Sequence, residues 1–493
     1  MPSETSLPRS DPETQGVSSA AILSFIEEIE RRGLELHGFM LLRHDHVIAE
    51  GWWAPYKPEY PHEAYSLTKS ITSTAIGLAI QEGLLSVEDS VLSYFPDLVT
   101  QSIDDNMSDL KIKHLLSMST GHTEGPSRFD HHASFLQDRS VSWIGDSPDR
   151  DWVRGFLELP IQREPGTHFL YNGGASHTLA KIVEQATGAC MLDYLYPRLF
   201  EPLGIEKPAW ERCPKGTVIG DSGIRLKAED IARFGLLLLR KGIWNGNRIL
   251  SEEWLEEAAS KQVDNAGWAE GLDLPDYEQG YGYQFWISRR NIFQCVGAFG
   301  KFCIVMPDQD AVLAINGGFY DTLNQSQALM NVIRDCLLDA MVGQSTPADV
   351  SSQEKLQRKL ASLAIGEERS VVKDRQRGGA ITYTIEPNTD RVEELTFHFA
   401  ENRCQISWRD AAGEHALTCG IGEWEEHNRL ADEQAAARGL WRGENTFVID
   451  IYRIQTPIHD QLICVFDGTA VDISYKHRDG VPRHLVGRES NLR

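Results

Sequence analysis

Basic residues are the scarce class in this chain: 48 Lys and Arg stand against 72 Asp and Glu in 493 residues, a formal net charge of −24. That deficit excludes nucleic acid and anionic membrane surfaces as partners, because both recruit proteins through basic patches. Cysteine is thin as well. The eight, at positions 190, 213, 295, 303, 336, 404, 419 and 464, form no Cys-x-x-Cys pair, which argues against structural zinc and dithiol redox chemistry. No apolar run approaches the roughly 20 residues of a membrane span, and the polar start, Met1-Pro-Ser-Glu-Thr, has no apolar signal core. A cytoplasmic location is the expectation, and thiols rather than disulfides go with it. Several motifs are missing: Gly-x-Gly-x-x-Gly, a Walker-type Gly-Lys-Ser, Gly-x-Ser-x-Gly and His-Glu-x-x-His. Their absence sets aside nucleotide binding, the α/β-hydrolase elbow and zincin chemistry, and no cofactor or metal is implied.

What the chain does have is Tyr65-Ser-Leu-Thr-Lys-Ser70 at the head of an apolar helix. Ser66 and Lys69 are three apart and so lie on one helical face, a turn from each other. From Ser70 to Gln81 no residue is charged, so this helix is expected to be buried. A Lys at the head of a buried helix is costly unless it is paired or neutralised, and a neutral amine is a base for the hydroxyl beside it. The spacing alone carries little. Ser-x-x-Lys recurs at Ser108–Lys111, Ser352–Lys355 and Ser370–Lys373, where acidic or charged neighbours point to a turn and to solvated segments. For an isolated match, a Ser N-cap with its Lys snorkelling to water is the plainer reading. His44 and His46 fall on a polar turn, and they and His131-His132 read as solvent-facing residues rather than metal ligands.

The length allows two or three domains with ample core, and 41% hydrophobic with 24% charged residues is ordinary globular composition. Residues 37 to 53 read as a hairpin turning at Arg43 to His46. Helical periods follow at Leu110 to Ser119, Ser176 to Ala186, Ala228 to Lys241 and Ser251 to Lys261. Strands are expected at Phe293 to Val296, Phe302 to Met306 and Ala311 to Asn316, then a helix from Asn324 to Met341. Strands at both ends with helices between suggest one α/β (α+β) domain over residues 1–342, carrying a helical insertion. Residues 343–372 read as a linker and a charged helix. Residues 373–493 read as a small C-terminal all-β domain, with strands at Ala380 to Ile385, Glu394 to Phe399, Arg403 to Trp408, Phe447 to Ile454 and Leu462 to Tyr475. Trp424 and Trp441 read as core of that domain.

Four further blocks give the Ser66 helix its context. They are His114-Leu-Leu-Ser-Met-Ser-Thr-Gly121, Pro165-Gly-Thr…Tyr171-Asn172, Ala228-Glu-Asp-Ile-Ala-Arg-Phe-Gly235 and a Gly-rich strand, Phe293-Gln-Cys-Val-Gly-Ala-Phe-Gly300, that runs on to Pro307. In this order they resemble the serine β-lactamase and penicillin-binding protein family, and within it the class C-like, esterase-related branch, over residues 10 to 340. The resemblance implies a β-lactamase-like fold, an antiparallel sheet flanked by helices with a helical subdomain. It implies that Ser66 is the acylated nucleophile, Lys69 its neighbouring base, and Tyr171 the phenol that relays the proton to the leaving group. The oxyanion hole would be the amides of Ser66 and Ala298, with Gly297 and Cys295 on the same strand matching the family's Lys-Thr-Gly triplet.

Two positions depart from that pattern. Cys295 stands where the triplet has its cation and cannot hold a substrate carboxylate. Gly173 stands where penicillin-acting members carry Asn. Both shift the expected chemistry from penicillins toward a serine hydrolase acting through an acyl-enzyme on a small-molecule ester, amide or lactam. The alternative is an acyl-accepting binding or sensor protein, or an acyltransferase, with little hydrolytic turnover. The C-terminal β domain contributes no chemical motif and is expected to cover the active-site rim or mediate homo-oligomer formation.

Overall fold

The computed structural model describes residues 6–98, 105–123, 125–127, 140–142, 151–341, 343, 345–366, 379–430, 433–476 and 482–490. His131-His132, Ser370–Lys373 and most of the loop from Phe129 to Asp151 lie outside the described residues. The chain divides into two compact units, Met1–Trp52 with Pro61–Leu363, and Trp53–Tyr60 with Ala364–Arg493.

The first unit is built on a six-stranded antiparallel sheet: β1 (Leu36–Arg43), β2 (His46–Trp52), β3 (Trp286–Ser288), β4 (Ile292–Gly297), β5 (Lys301–Met306) and β6 (Ala311–Gly317). The order across the sheet is β2-β1-β6-β5-β4-β3. Every residue of β1, β5 and β6 is buried, which requires cover on both faces. The alternation of side chains shows how. Phe39 meets Phe25 of helix α1 (Ser19–Arg31) edge-on at 5.9 Å. Cys303, of opposite parity in the register, faces helix α4 (Ala228–Leu239), where a Cβ on Gly235 would lie 2.8 Å from its sulfur. Gly235 costs about 1 kcal/mol of helix propensity and in return lets α4 lie directly on the sheet. The terminal helix α5 (Thr322–Cys336) and the amphipathic α6 (Val350–Ala361) both pack on α1. The charged helix expected in the linker thus belongs to the first unit.

Helix α2 (Thr68–Gln81) carries the Ser-x-x-Lys segment, and its residues Thr68 to Ala79 are all buried. Several of its hydroxyls are tolerated because they find carbonyls. Ser70 donates to Gln284 O at 2.7 Å, Thr72 to Gly220 O at 2.8 Å and Thr74 to Ser70 O at 2.9 Å. Helix α3 (Gly173–Thr187) packs on α2. Among the described residues no helix is long and apolar enough to cross a membrane.

The second unit has ten strands: β7 (Gly379–Ile385), β8 (Glu394–Phe399), β9 (Arg403–Asp410), β10 (Gly413–Ile421), β11 (Glu425–Leu430), β12 (Glu433–Arg442), β13 (Thr446–Arg453), β14 (His459–Asp467), β15 (Ala470–Lys476) and β16 (Pro482–Glu489). They run β10-β9-β8-β7-β16-β15-β14-β13-β12-β11, and a parallel pairing of β10 with β12 closes the ring into a barrel. Tyr383, Phe397, Phe399, Trp441, Phe447 and Phe466 fill its interior, so this is a packed core. The span Leu462 to Tyr475, expected as one strand, is two, because Gly468 at φ +58° turns the chain between them. The short segment Trp53–Tyr60 joins this unit. Tyr56 meets Tyr452 edge-on at 6.1 Å, Lys57 pairs with Glu426, and Ile365 N donates to Ala54 O at 2.8 Å.

Candidate active site

Ser66 sits in a single 3-10 turn, Tyr65–Leu67, that runs without a break into α2. The chain enters this turn through Tyr65 at φ +46°, a left-handed conformation that a bulky L residue holds only when its surroundings impose it. Thr68 Oγ1 donates to Tyr65 O at 2.5 Å and helps to fix the bend. Ser66 is half-buried while Lys69, one turn on, is 2% exposed. The Lys69 ammonium lies 3.0 Å from Ser66 Oγ and 3.0 Å from Asp221 O, with the Asp221 carboxylate at 3.8 Å. The lysine that looked solitary in sequence is therefore paired. Asp221, itself 4% exposed, is the counter-charge that makes its burial tolerable.

Tyr171 arrives from a different part of the chain, just before α3. Asn172 caps that helix: its Oδ1 accepts from Ala175 N at 3.1 Å, and its Nδ2 donates to Thr120 Oγ1 at 3.2 Å. Asn172 is fully buried, and these bonds make it a structural anchor that orients the tyrosine before it. The Tyr171 ring stacks on Trp286 at 5.7 Å and meets Tyr281 edge-on at 6.3 Å, while the Lys69 ammonium stands 5.0 Å from its centroid. Burial pushes the Tyr281 phenol well above its ordinary range, with Tyr171 and Cys295 adding to the shift. Tyr281 is thus a neutral wall at neutral pH, and Tyr171 is the phenol set beside the lysine.

Strand β4 supplies the opposite wall. A Cβ on Gly297 would lie 2.1 Å from Ala64 O, so only glycine lets β4 run this close to the turn that carries Ser66. Phe299, at φ +62°, meets the Tyr65 ring edge-on at 4.9 Å. Ala298 lies in the chain between these two contacts. Cys295 behaves otherwise. It is fully buried and sits directly opposite Cys303, whose thiol is pushed well above its usual range by the hydrogen bond with Cys295 and by burial. The Cys295 side chain has no exposed surface.

The remaining candidates separate from this site. Ser352 is an exposed first-turn residue of α6 bonded to Asp349, and Ser108 lies in a 3-10 turn, Asp105–Asp109. His44 bonds Gln15 Oε1 and His46 bonds His44 O. Sequence reasoning missed two groups, Asp221 and Gln284. Gln284 is 2% exposed and donates to Leu115 O and Leu116 O, while its own Oε1 accepts from Ser176 of α3. With Ser70 bonded to its carbonyl, Gln284 ties α2, α3 and the helix Ile112–Leu116 into one frame.

The fold brings a serine, a buried lysine and a tyrosine together on a sheet flanked by helices, and a family comparison identifies that fold. Residues 25–318 match the Beta-lactamase family model, and the chain belongs to that family. It is 27% identical over 321 residues to the 6-aminohexanoate-dimer hydrolase of Paenarthrobacter ureafaciens, covering 62% of this chain and 79% of that one. It is 29% identical over 153 residues to the lovastatin esterase of Penicillium rubens, covering 28% of this chain and 37% of that one. A solved penicillin-binding protein homologue from Caulobacter crescentus superimposes with TM-score 0.51 at 17% identity, over 68% of this chain and all of that one, which is a likeness of fold. The chain is a hydrolase of the β-lactamase-related family.

Proposed function

We propose that the first unit hydrolyses a small-molecule carboxylic ester or amide through an acyl-enzyme on Ser66. The observation that carries this reading is the Lys69 ammonium, 2% exposed and 3.0 Å from Ser66 Oγ, with the Tyr171 ring 5.0 Å away. A lysine that merely snorkelled would place its head in water. In the proposed cycle Lys69, in its neutral amine form for this step, takes the Ser66 proton as Oγ bonds to the substrate carbonyl carbon, and the proton passes on through Tyr171 to the alcohol or amine as its bond to that carbon breaks. The amides of Ser66 and Ala298 hold the oxyanion. Water then attacks the acyl carbon, and the proton returns along the same path. Asp221 holds Lys69 in place through its carbonyl and its charge.

The substrate class follows from the β4 wall. With Cys295 buried where the family has a cation, a penicillin carboxylate loses its partner at that position, and this favours neutral esters and amides. The relatives named 6-aminohexanoate-dimer hydrolase and lovastatin esterase support hydrolysis of small molecules, without bearing on their charge. A cytoplasmic setting is part of the proposal, supported by eight cysteines that stand as free thiols, two of them directly opposed across β4 and β5.

The test is covalent labelling with a fluorophosphonate read by intact mass, beside turnover of a panel of p-nitrophenyl esters and anilides. One adduct and measurable turnover are expected in the wild type, and neither in Ser66→Ala. Turnover surviving in Ser66→Ala refutes the assignment. Stable labelling without turnover of any substrate would make the protein an acyl acceptor instead.

A further inference from the structure

A second lysine is buried behind the nucleophile turn. Lys301 opens β5, is 0% exposed, and points to the same face of the sheet as Cys303. Its ammonium donates to Phe299 O at 3.2 Å and to Gly317 O, and it stands 5.8 Å from the Tyr65 ring centroid. Its stem lies against Gly297, where an added Cβ would be 2.9 Å from Lys301 Cβ. One ammonium thus faces the Tyr65 ring of the turn that carries Ser66 and bonds two backbone segments, the turn after β4 at Phe299 and the end of β6 at Gly317. The last two are also joined directly, by Phe319 N donating to Phe299 O at 3.2 Å.

These are the segments whose conformation has to be imposed. Tyr65 at φ +46° and Phe299 at φ +62° are both bulky residues in the left-handed region, their rings in edge contact, and each adjoins in the chain one of the two amides assigned to the oxyanion hole, those of Ser66 and Ala298. Each such residue costs of order 1–3 kcal/mol and persists only where its surroundings over-determine it. Charge-assisted hydrogen bonds to two carbonyls are about twice as strong as neutral ones, so a buried ammonium is well suited to that task.

We infer that Lys301 is a positioning residue for the oxyanion hole: it does not touch substrate, but clamps the turn 297–300 so that the Ala298 amide converges with that of Ser66. This rests on the reading of Ser66 as nucleophile, and the experiment separates the two. Each variant is first titrated with the fluorophosphonate, so that rates are expressed per labelled Ser66. A wild type that takes no label defeats the parent reading and leaves nothing to position.

With labelled wild type in hand, Lys301→Met should lower kcat per site at least 30-fold with KM changed less than threefold. Its affinity for a boronic acid, which forms a tetrahedral adduct at the serine, should weaken by the same factor as kcat/KM. Lys301→Gln keeps an N–H donor for the carbonyls and should recover most of the loss, remaining three- to tenfold below wild type. If Lys301→Met yields no folded protein, Lys301→Gln decides alone. Wild-type kcat and boronate affinity per site in either folded variant overturn the inference, and so does a rise in KM at constant kcat. A merely structural lysine would lower the number of labelled sites or the melting temperature without moving those ratios.

Discussion

Replacing Gly297 by alanine gives the most direct reading of whether β4 supplies an oxyanion donor. The added Cβ would sit 2.1 Å from the carbonyl oxygen of Ala64, against about 3.4 Å or more for an ordinary carbon–oxygen contact. Neither side yields easily, because Ala64 N is itself bonded to Ile224 O at 2.8 Å and the 297–301 register is fixed by pairing with β5. The strand must therefore retreat by about 1.3 Å. A donor 2.9 Å from an oxyanion would then stand near 4.2 Å, outside hydrogen-bond range. Losing one such donor costs about 3–4 kcal/mol of transition-state stabilisation, a loss of ~10²–10³ in kcat. The assay is steady-state hydrolysis of a p-nitrophenyl ester by Gly297→Ala, normalised to fluorophosphonate-titrated sites, with circular dichroism to verify the fold. KM should change little, because the ground-state carbonyl depends on the donor less than the tetrahedral adduct does. A well-folded Gly297→Ala with kcat within threefold of wild type would refute the placement of Ala298 in the oxyanion hole.

Three other substitutions test neighbouring parts of the site and scaffold. Tyr171→Phe keeps the ring stacked on Trp286 and removes only the hydroxyl, so kcat should fall by ~10²–10⁴ with an unchanged melting temperature; unaltered kinetics would end its proton-relay role. Asp221→Asn leaves Lys69 buried without its counter-charge, the two side chains being 5% and 3% exposed. It should cost about 3–5 kcal/mol in urea unfolding, and adding Lys69→Met should restore part of that; a double variant no more stable than Asp221→Asn would show that the pair is not coupled. Asp230 is pushed up to about 6 by burial as it accepts the Lys227 amide at 2.9 Å at the head of α4. Because the folded state then holds its proton more tightly than the unfolded chain, stability from this group is fully present below pH 3.8 and is lost as pH rises toward 6. Asp230→Asn should flatten that slope and raise stability at pH 7 by about 1–3 kcal/mol; a variant whose stability still falls equally from pH 4 to 6 would assign the slope to another group.

The parts of this molecule legible in its sequence were those written in short periods. The three-residue step from Ser66 to Lys69, the uncharged run behind it and the glycines at 297 and 300 each encode a local geometry, and each lies where the physics asked for it. Long-range pairing was less legible. Asp221 is 152 positions from Lys69, yet it is the one charged residue between Gly216 and Ile224, so two solitary opposite charges in uncharged segments were the available signal. Lys301 gave no such signal, because it reads as the polar end of a glycine turn. In the barrel, β12 escaped notice since Glu-Gln-Ala-Ala-Ala-Arg has the composition of a helix. There, pairing with β13 from Ala435 to Arg442 and burial of Ala435 and Ala437 in the barrel core override local preference.

The placement of Trp53 to Tyr60 has a practical consequence for anyone who cuts or grafts this protein. These eight residues come early in the chain but cluster with the barrel, where Trp53 and Tyr56 are 4% and 2% exposed. Ending an expression clone after α6 would strand two large aromatic rings in water, at a cost of about 1.5–3 kcal/mol each and with a sticky loop left on the product. The barrel expressed alone would lack the Tyr56–Tyr452 and Lys57–Glu426 contacts. Because the chain passes from the first unit into the second and back before its last crossing, no single cut separates the residues of one from those of the other.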